Sequence, residues 1–220
     1  MTAPRRAQNR ARRTERILRA ALDVFSEQGY TGATMDAIAA RAGLSKPTLY
    51  SYFDGKAQIF SAMFSAPRED MLLAFEVDRD ARMVAQLHRF AWTYARIVMR
   101  PEYLSLARLI IGEAQRFPEI GEAYQASGPD RVLQGMMAYL EAHRAAGDLT
   151  FEDAELAAQD LWGLILSAPR TQALHRPDAI PDERALARYV TNGLRVFLKA
   201  YATDPVAALA DLAEVTQGTA

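Results

Sequence analysis

The chain has 220 residues, of which half are apolar and 24% charged, with a formal net charge of −1 and no cysteine. That balance fits a globular protein with one large core or two smaller ones, and it excludes disulfide frameworks and thiolate chemistry. No stretch approaches the roughly 18 apolar residues needed to span a bilayer, so no membrane partner is expected.

The near-zero net charge hides an asymmetry. Of 26 Lys/Arg and 27 Asp/Glu, ten and five lie in residues 1–60, which leaves 16 and 22 for the rest. A basic end on an acidic body points to a polyanion at that end. The start, MTAPRRAQNRARR, lacks the apolar run of a secretory signal, and a cytoplasmic location is the expectation. Residues 1–13 are polar and without periodicity, and are expected to be a disordered basic arm.

From Thr14 the pattern turns helical. Ile17, Leu18, Ala21, Leu22 and Phe25 recur at three- and four-residue spacings. Gln28-Gly29 should end this helix, with Gly29 in the left-handed conformation. Thr34 is a good N-cap for a short helix ending at Ala42-Gly43, and Asp36 in its first turn suits the positive helix end. Ser45 caps the next helix, with Pro47 in the first turn, where a missing N–H does no harm. Leu49 and Phe53 form its buried stripe, and Asp54-Gly55 breaks it.

A longer helix begins near Lys56, with a bend or break expected between Ser65 and Pro67. Five long helices should follow: 82–100, 102–116, 119–146 (disturbed at Ser127-Gly128-Pro129), 153–175 with a kink at Pro169, and 182–202. A short terminal helix is expected after Asp204-Pro205. No strand alternation and no repeat is found, so the fold class is all-α.

Two short helices joined by a glycine-containing turn form a helix-turn-helix. Here the turn is Ala42-Gly43-Leu44, between a helix at 34–41 and one at 45–52. With Leu49 and Phe53 inward, Ser45, Lys46, Thr48, Tyr50 and Tyr52 face outward. Lysine pairs with phosphate or a guanine edge, and the hydroxyls of threonine and tyrosine donate to phosphate oxygens. Thymine methyls can rest against Pro47. One face holds the fold, and the other suits a charged groove.

The stretch ALDVFSEQGYTGATMDAIAARAGLSKPTLYSYFDGKAQIF resembles the DNA-binding domain of TetR-type transcriptional regulators over about Thr14 to Phe60. The resemblance implies a DNA-binding domain at 14–60 and a ligand-binding and dimerisation domain at 61–220. It implies a homodimer, usually a repressor, acting on a palindromic double-stranded operator. Thr34, Lys46, Thr48, Tyr50, Tyr52 and Lys56 match positions where that family touches DNA, and basic arms elsewhere add minor-groove contacts.

The segment RPEYLSLARLIIGEAQRFPEIGEAY resembles the AefR-like subtype of the family's C-terminal half. A small-molecule effector is implied there, and Phe90, Tyr94, Ile110, Glu113, Phe117, Met137 and Trp162 are the pocket candidates. Each of these side chains could instead be core, and Glu113 could be an interhelix ion-pair partner. The last two long helices are apolar on more than one face, as a two-fold four-helix interface or a thicker core would require. The helix from Lys56 is the expected lever between the domains, with Pro67 as its joint.

An enzyme is not expected. His88, His143 and His175 are scattered, and neither a zinc-protease pattern nor a nucleotide-binding glycine pattern is present. No catalytic residue, metal or cofactor is assigned. The rival binding mode is a ligand-independent or sequence-blind DNA-binding protein, for which the acidic body is a poor fit.

Overall fold

The computed structural model describes residues 3–63, 69, 71–72 and 82–217, excluding the side chains of 3–7 and 127. Among them every regular element is an α-helix: α1 (Ala3–Gly32), α2 (Met35–Arg41), α3 (Lys46–Tyr50), α4 (Lys56–Ala62), α5 (Met83–Val98), α6 (Pro101–Glu113), α7 (Pro118–Ser127), α8 (Pro129–Ala146), α9 (Ala154–His175), α10 (Glu183–Tyr201) and α11 (Pro205–Gln217). The chain divides into two units, one of residues 1–66 and 105–128, the other of 67–104 and 129–220.

In the first unit α1 packs on α2 and α4, α2 on α3, and α4 on α7. Ile17, Ala21, Phe25, Ile38, Leu49 and Ile59 are fully buried at its centre. The rings of Phe25, Tyr30 and Phe60 meet at 5.5–6.2 Å between centroids. Gly29 interrupts α1 at φ 70°, the left-handed conformation expected for it.

Two expectations in this unit are corrected. α1 begins at Ala3, so residues 3–13 are helical and not a disordered arm. Alanine, arginine and glutamine are strong helix formers, and the packed turns beyond Ile17 supply the nucleus that a short isolated helix lacks. Thr14 therefore lies inside α1. Helix α3 ends at Tyr50, and Tyr52 lies in the following turn.

In the second unit α9 packs on α5, α8 and α10, while α10 and α11 both pack on α5. Leu87, Leu104, Met136, Leu161, Ile165, Val190, Leu194 and Phe197 sit in its core at 2% exposure or less. The expected helix at 119–146 is two helices. Gly128 (φ −139°, ψ −78°) leaves helical geometry, and Pro129 opens α8. Pro169 lies buried within α9, which runs unbroken from Ala154 to His175. Asp153 and Asp182 cap α9 and α10, their carboxylates accepting from the backbone at 2.8 and 2.7 Å. The bend expected between Ser65 and Pro67 lies outside the described residues.

Most of the apolar excess of the last two long helices is used inside the protomer. Leu161, Ile165, Leu166, Leu186, Val190, Leu194, Phe197 and Leu198 are buried, while Leu164, Tyr189 and Val196 remain 37–40% exposed.

Candidate nucleic-acid interface

The turn between α2 and α3 is built by backbone hydrogen bonds. Leu44 N–H donates to the Ala39 carbonyl at 2.9 Å and Gly43 N–H to the Ala40 carbonyl at 3.1 Å. This six-to-one, five-to-two pair is a Schellman closure, and it requires the φ of 62° that Gly43 adopts. The Thr34 hydroxyl accepts from Ala37 N–H at 3.1 Å and that of Ser45 from Thr48 N–H at 3.3 Å, capping both helices. Leu49, with no exposed surface, fixes the roll of α3.

With that roll set, Ser45, Lys46, Pro47 and Tyr50 are exposed, and Thr48 and Tyr52 are half-buried. Ser45 and Thr48 join through their hydroxyls at 2.7 Å. Lys46 meets Asp36 at 2.9 Å, a contact that pushes its pKa up and keeps it charged. The side chains expected outward are thus exposed or half-buried around α3, with Leu49 its buried residue. Thr34 is exposed too, although its hydroxyl oxygen is engaged as a cap.

Lys56 is engaged within the first unit. Its ammonium donates to the carbonyls of Tyr30 (2.6 Å), Ala33 (3.3 Å) and Thr31 (3.4 Å), and lies 4.5 Å from the centre of the Tyr30 ring. A cation on the exposed carbonyls at a helix C-terminus satisfies groups that have no intrahelical partner. Lys56 thus clamps the end of α1.

Two features were missed in the sequence. Arg41 bonds to both oxygens of Glu27, at 2.9 and 2.5 Å, tying α2 to α1 and holding the Glu27 carboxyl below its usual pKa. The Arg10 guanidinium lies 4.8 Å from the centre of the Tyr52 ring. The i, i+14 spacing from Glu27 to Arg41 has no local signal, and an arm read as unstructured gives no reason to pair Arg10 with Tyr52.

Residues 17–63 match the bacterial regulatory proteins of the tetR family, and residues 85–203, more than half the chain, match the C-terminal domain of the AefR-like transcriptional repressors. The chain belongs to the TetR family. An HTH-type transcriptional regulator of Mycobacterium tuberculosis is 28% identical over 187 residues, covering 83% of this chain and 93% of that protein. A TetR-family regulator structure from Mesorhizobium loti superposes with a TM-score of 0.71 at 28% identity, covering 88% of this chain and 98% of its own. The structure of the flavonoid-responsive regulator FrrA gives a TM-score of 0.68 at 31% identity, with 87% and 98% covered. This TetR-family chain is accordingly a DNA-binding transcriptional regulator, not an enzyme.

The pocket candidates of this regulator fall into two groups. Phe90, Tyr94, Met137 and Trp162 belong to the second unit. There Phe90 and Tyr94 stack at 6.0 Å, and Tyr94 and Trp162 at 6.1 Å, with interplanar angles of 17° and 13°. Phe90 is buried, and Tyr94, Met137 and Trp162 pack against the core as half-buried side chains. The indole N–H of Trp162 is buried with no acceptor among the described residues.

Ile110, Glu113 and Phe117 belong to the first unit. Ile110 is buried, and Phe117 stands 6.1 Å from the Tyr30 ring. Glu113 accepts a hydrogen bond from Tyr30 N–H. No described helix is long and apolar enough to cross a membrane.

Proposed function

We propose that this regulator is a homodimeric, sequence-specific repressor that leaves a palindromic operator when a small apolar or aromatic effector binds. The observation that supports this best is the α2–turn–α3 unit, in which Leu49 is buried while Ser45, Lys46, Pro47 and Tyr50 stay exposed and Thr48 is half-buried. Lys46 and the hydroxyls of Thr48 and Tyr50 would meet phosphates and base edges, with Pro47 against a thymine methyl. The work is done on chromosomal DNA, so the protein acts in the cytoplasm.

Leu164, Tyr189 and Val196 are among the large apolar side chains left exposed on α9 and α10. A second copy would cover them in a two-fold four-helix contact. That contact would set the two recognition helices about 34–36 Å apart, or a somewhat larger operator-specific distance. An effector that prefers another spacing lowers operator affinity by linkage.

The Phe90–Tyr94–Trp162 stack supports an aromatic effector. The unpartnered indole N–H of Trp162 would favour one bearing an oxygen acceptor. The flavonoid response named for FrrA, at 31% identity, fits that chemistry. The test is a titration of flavonoids against the protein–operator complex, followed by fluorescence anisotropy. Release by a flavonoid, with about tenfold more needed for Trp162→Phe, is expected from the loss of one buried hydrogen bond. DNA binding indifferent to every flavonoid, or equal release from wild type and Trp162→Phe, would sink the effector assignment.

A further inference from the structure

Four of the eight described cations in residues 8–60 are engaged within the molecule. Arg41 pairs with Glu27 and Asp23, Lys46 with Asp36, Arg19 with Glu15, and Lys56 with three backbone carbonyls. Among the described residues Arg10, Arg12, Arg13 and Arg16 have no carboxylate at ion-pair distance, and all four are exposed. Within residues 8–60 the positive charge without a carboxylate partner therefore lies on the N-terminal turns of α1.

Its placement follows from the helix phase. Ile17, Ala20, Ala21 and Val24 form the buried stripe of α1. Arg13 and Arg10 stand four and seven residues before Ile17, on the same stripe. Where α1 runs past the core, the stripe changes from apolar to arginine without changing face. The Arg10 guanidinium rests over the Tyr52 ring, beside the C-terminal end of α3. An α-helix with side chains is about 10–12 Å wide, too broad for the roughly 6 Å minor groove.

We propose that Arg10 and Arg13 form an accessory phosphate-binding stripe for duplex DNA, aligned with the recognition helix by the Arg10–Tyr52 contact. The stripe extends the footprint along the sugar–phosphate backbone without reading bases. It rests on the DNA-binding reading above and adds two contacts per protomer to it. Arg12 and Arg16, about 110° around the helix, point elsewhere and provide an internal control of equal charge.

The experiment measures affinity for the selected operator, and for a mixed-sequence duplex of about 30 base pairs, between about 50 and 200 mM salt. Arg10→Ala/Arg13→Ala is compared with Arg12→Ala/Arg16→Ala and wild type. For a dimer the stripe variant should lose about 3–4 from the magnitude of the log–log salt slope, four phosphate contacts at about 0.9 each. Its preference for operator over mixed sequence should stay near that of wild type. The control variant should change the slope by less than half as much.

An unchanged slope in the stripe variant would overturn the proposal, as would equal losses in both variants, which would indicate only diffuse charge. A relaxed sequence preference would also overturn it, in favour of base reading by the arginines. Wild type that binds neither duplex would refute the DNA-binding reading itself, a separate outcome. Alanine is a strong helix former at these exposed positions, so the fold is retained, and circular dichroism verifies it.

Discussion

The backbone N–H of Tyr30 donates to the Glu113 carboxylate at 3.2 Å, joining the end of α1 to the end of α6. Gly29, at φ 70°, turns the chain so that this N–H faces the carboxylate, and a Cβ there would stand 2.7 Å from Glu113 Oε1. The Tyr30 carbonyl accepts from Lys56, and its ring touches those of Phe25, Phe60 and Phe117. Tyr30 is thus gripped at its N–H, its carbonyl and its ring.

Glu113→Ala should lower the unfolding free energy by about 1–2 kcal/mol, the contribution of a hydrogen bond to a charged acceptor in a half-buried setting. Glu113→Gln keeps an oxygen acceptor and should recover most of that loss. Urea unfolding followed by circular dichroism measures both. Equal stability of all three proteins would mean that the contact contributes nothing to the fold.

Lys56→Met removes the cation from three carbonyls and should cost about 1–2 kcal/mol in the absence of DNA. A lysine serving DNA phosphates alone would leave stability untouched and change only the salt dependence of binding. The same unfolding experiment therefore separates the two roles.

At the α9–α10 crossing, a Cβ added to Gly193 would lie 2.7 Å from the Leu164 carbonyl oxygen and 2.9 Å from Ile165 Cα. Both neighbours are backbone, so relief requires the helices to separate. Gly193→Ala should destabilise by about 1–3 kcal/mol, even though alanine gains roughly 1 kcal/mol of helix propensity. A thermal midpoint equal to or above that of wild type would contradict this close approach.

His88 is 6% exposed, and its Nε2 accepts from the Trp92 indole N–H at 3.0 Å. Burial lowers its pKa from the ordinary 6.5. The unfolded chain therefore binds a proton that folded His88 refuses, so stability is full above pH 6.5 and declines as pH falls below it. His88→Gln, which can still accept from Trp92, should flatten that decline between about pH 6.5 and 5.5. Parallel pH profiles for the two proteins would show that His88 does not contribute.

Much of the first unit is legible in the sequence because its signals are local. Thr34 and Ser45 cap the helices they precede, and Gly29 and Gly43 take positive φ where a left-handed residue is needed. The burial of Leu49 and Phe53 follows from their four-residue spacing. What stays hidden depends on distant partners. Glu113 reads as a polar anchor in an apolar run, and only the fold brings it to Tyr30, 83 residues away.

Lys56 reads as a phosphate contact, and its bonds to the carbonyls at the end of α1, 23–26 residues away, give no local signal. The basic start reads as a disordered arm because its charge pattern has no apolar stripe, yet the helix propagates through it from the packed turns after Ile17. Among the pocket candidates, Phe90, Tyr94 and Trp162 do share one stack. Sequence spacing could not separate them from Ile110 and Phe117, which belong to the other unit.

The most direct test of the account is selection of genomic fragments on the purified protein beside a Lys46→Ala/Tyr50→Ala variant, at about 150 mM salt to weaken non-specific phosphate binding. The account predicts that wild type alone recovers fragments sharing one palindrome, with half-sites about one helical turn apart or a little more. Recovery of random fragments by both proteins, or the same palindrome from the variant, would contradict sequence reading by the exposed face of α3.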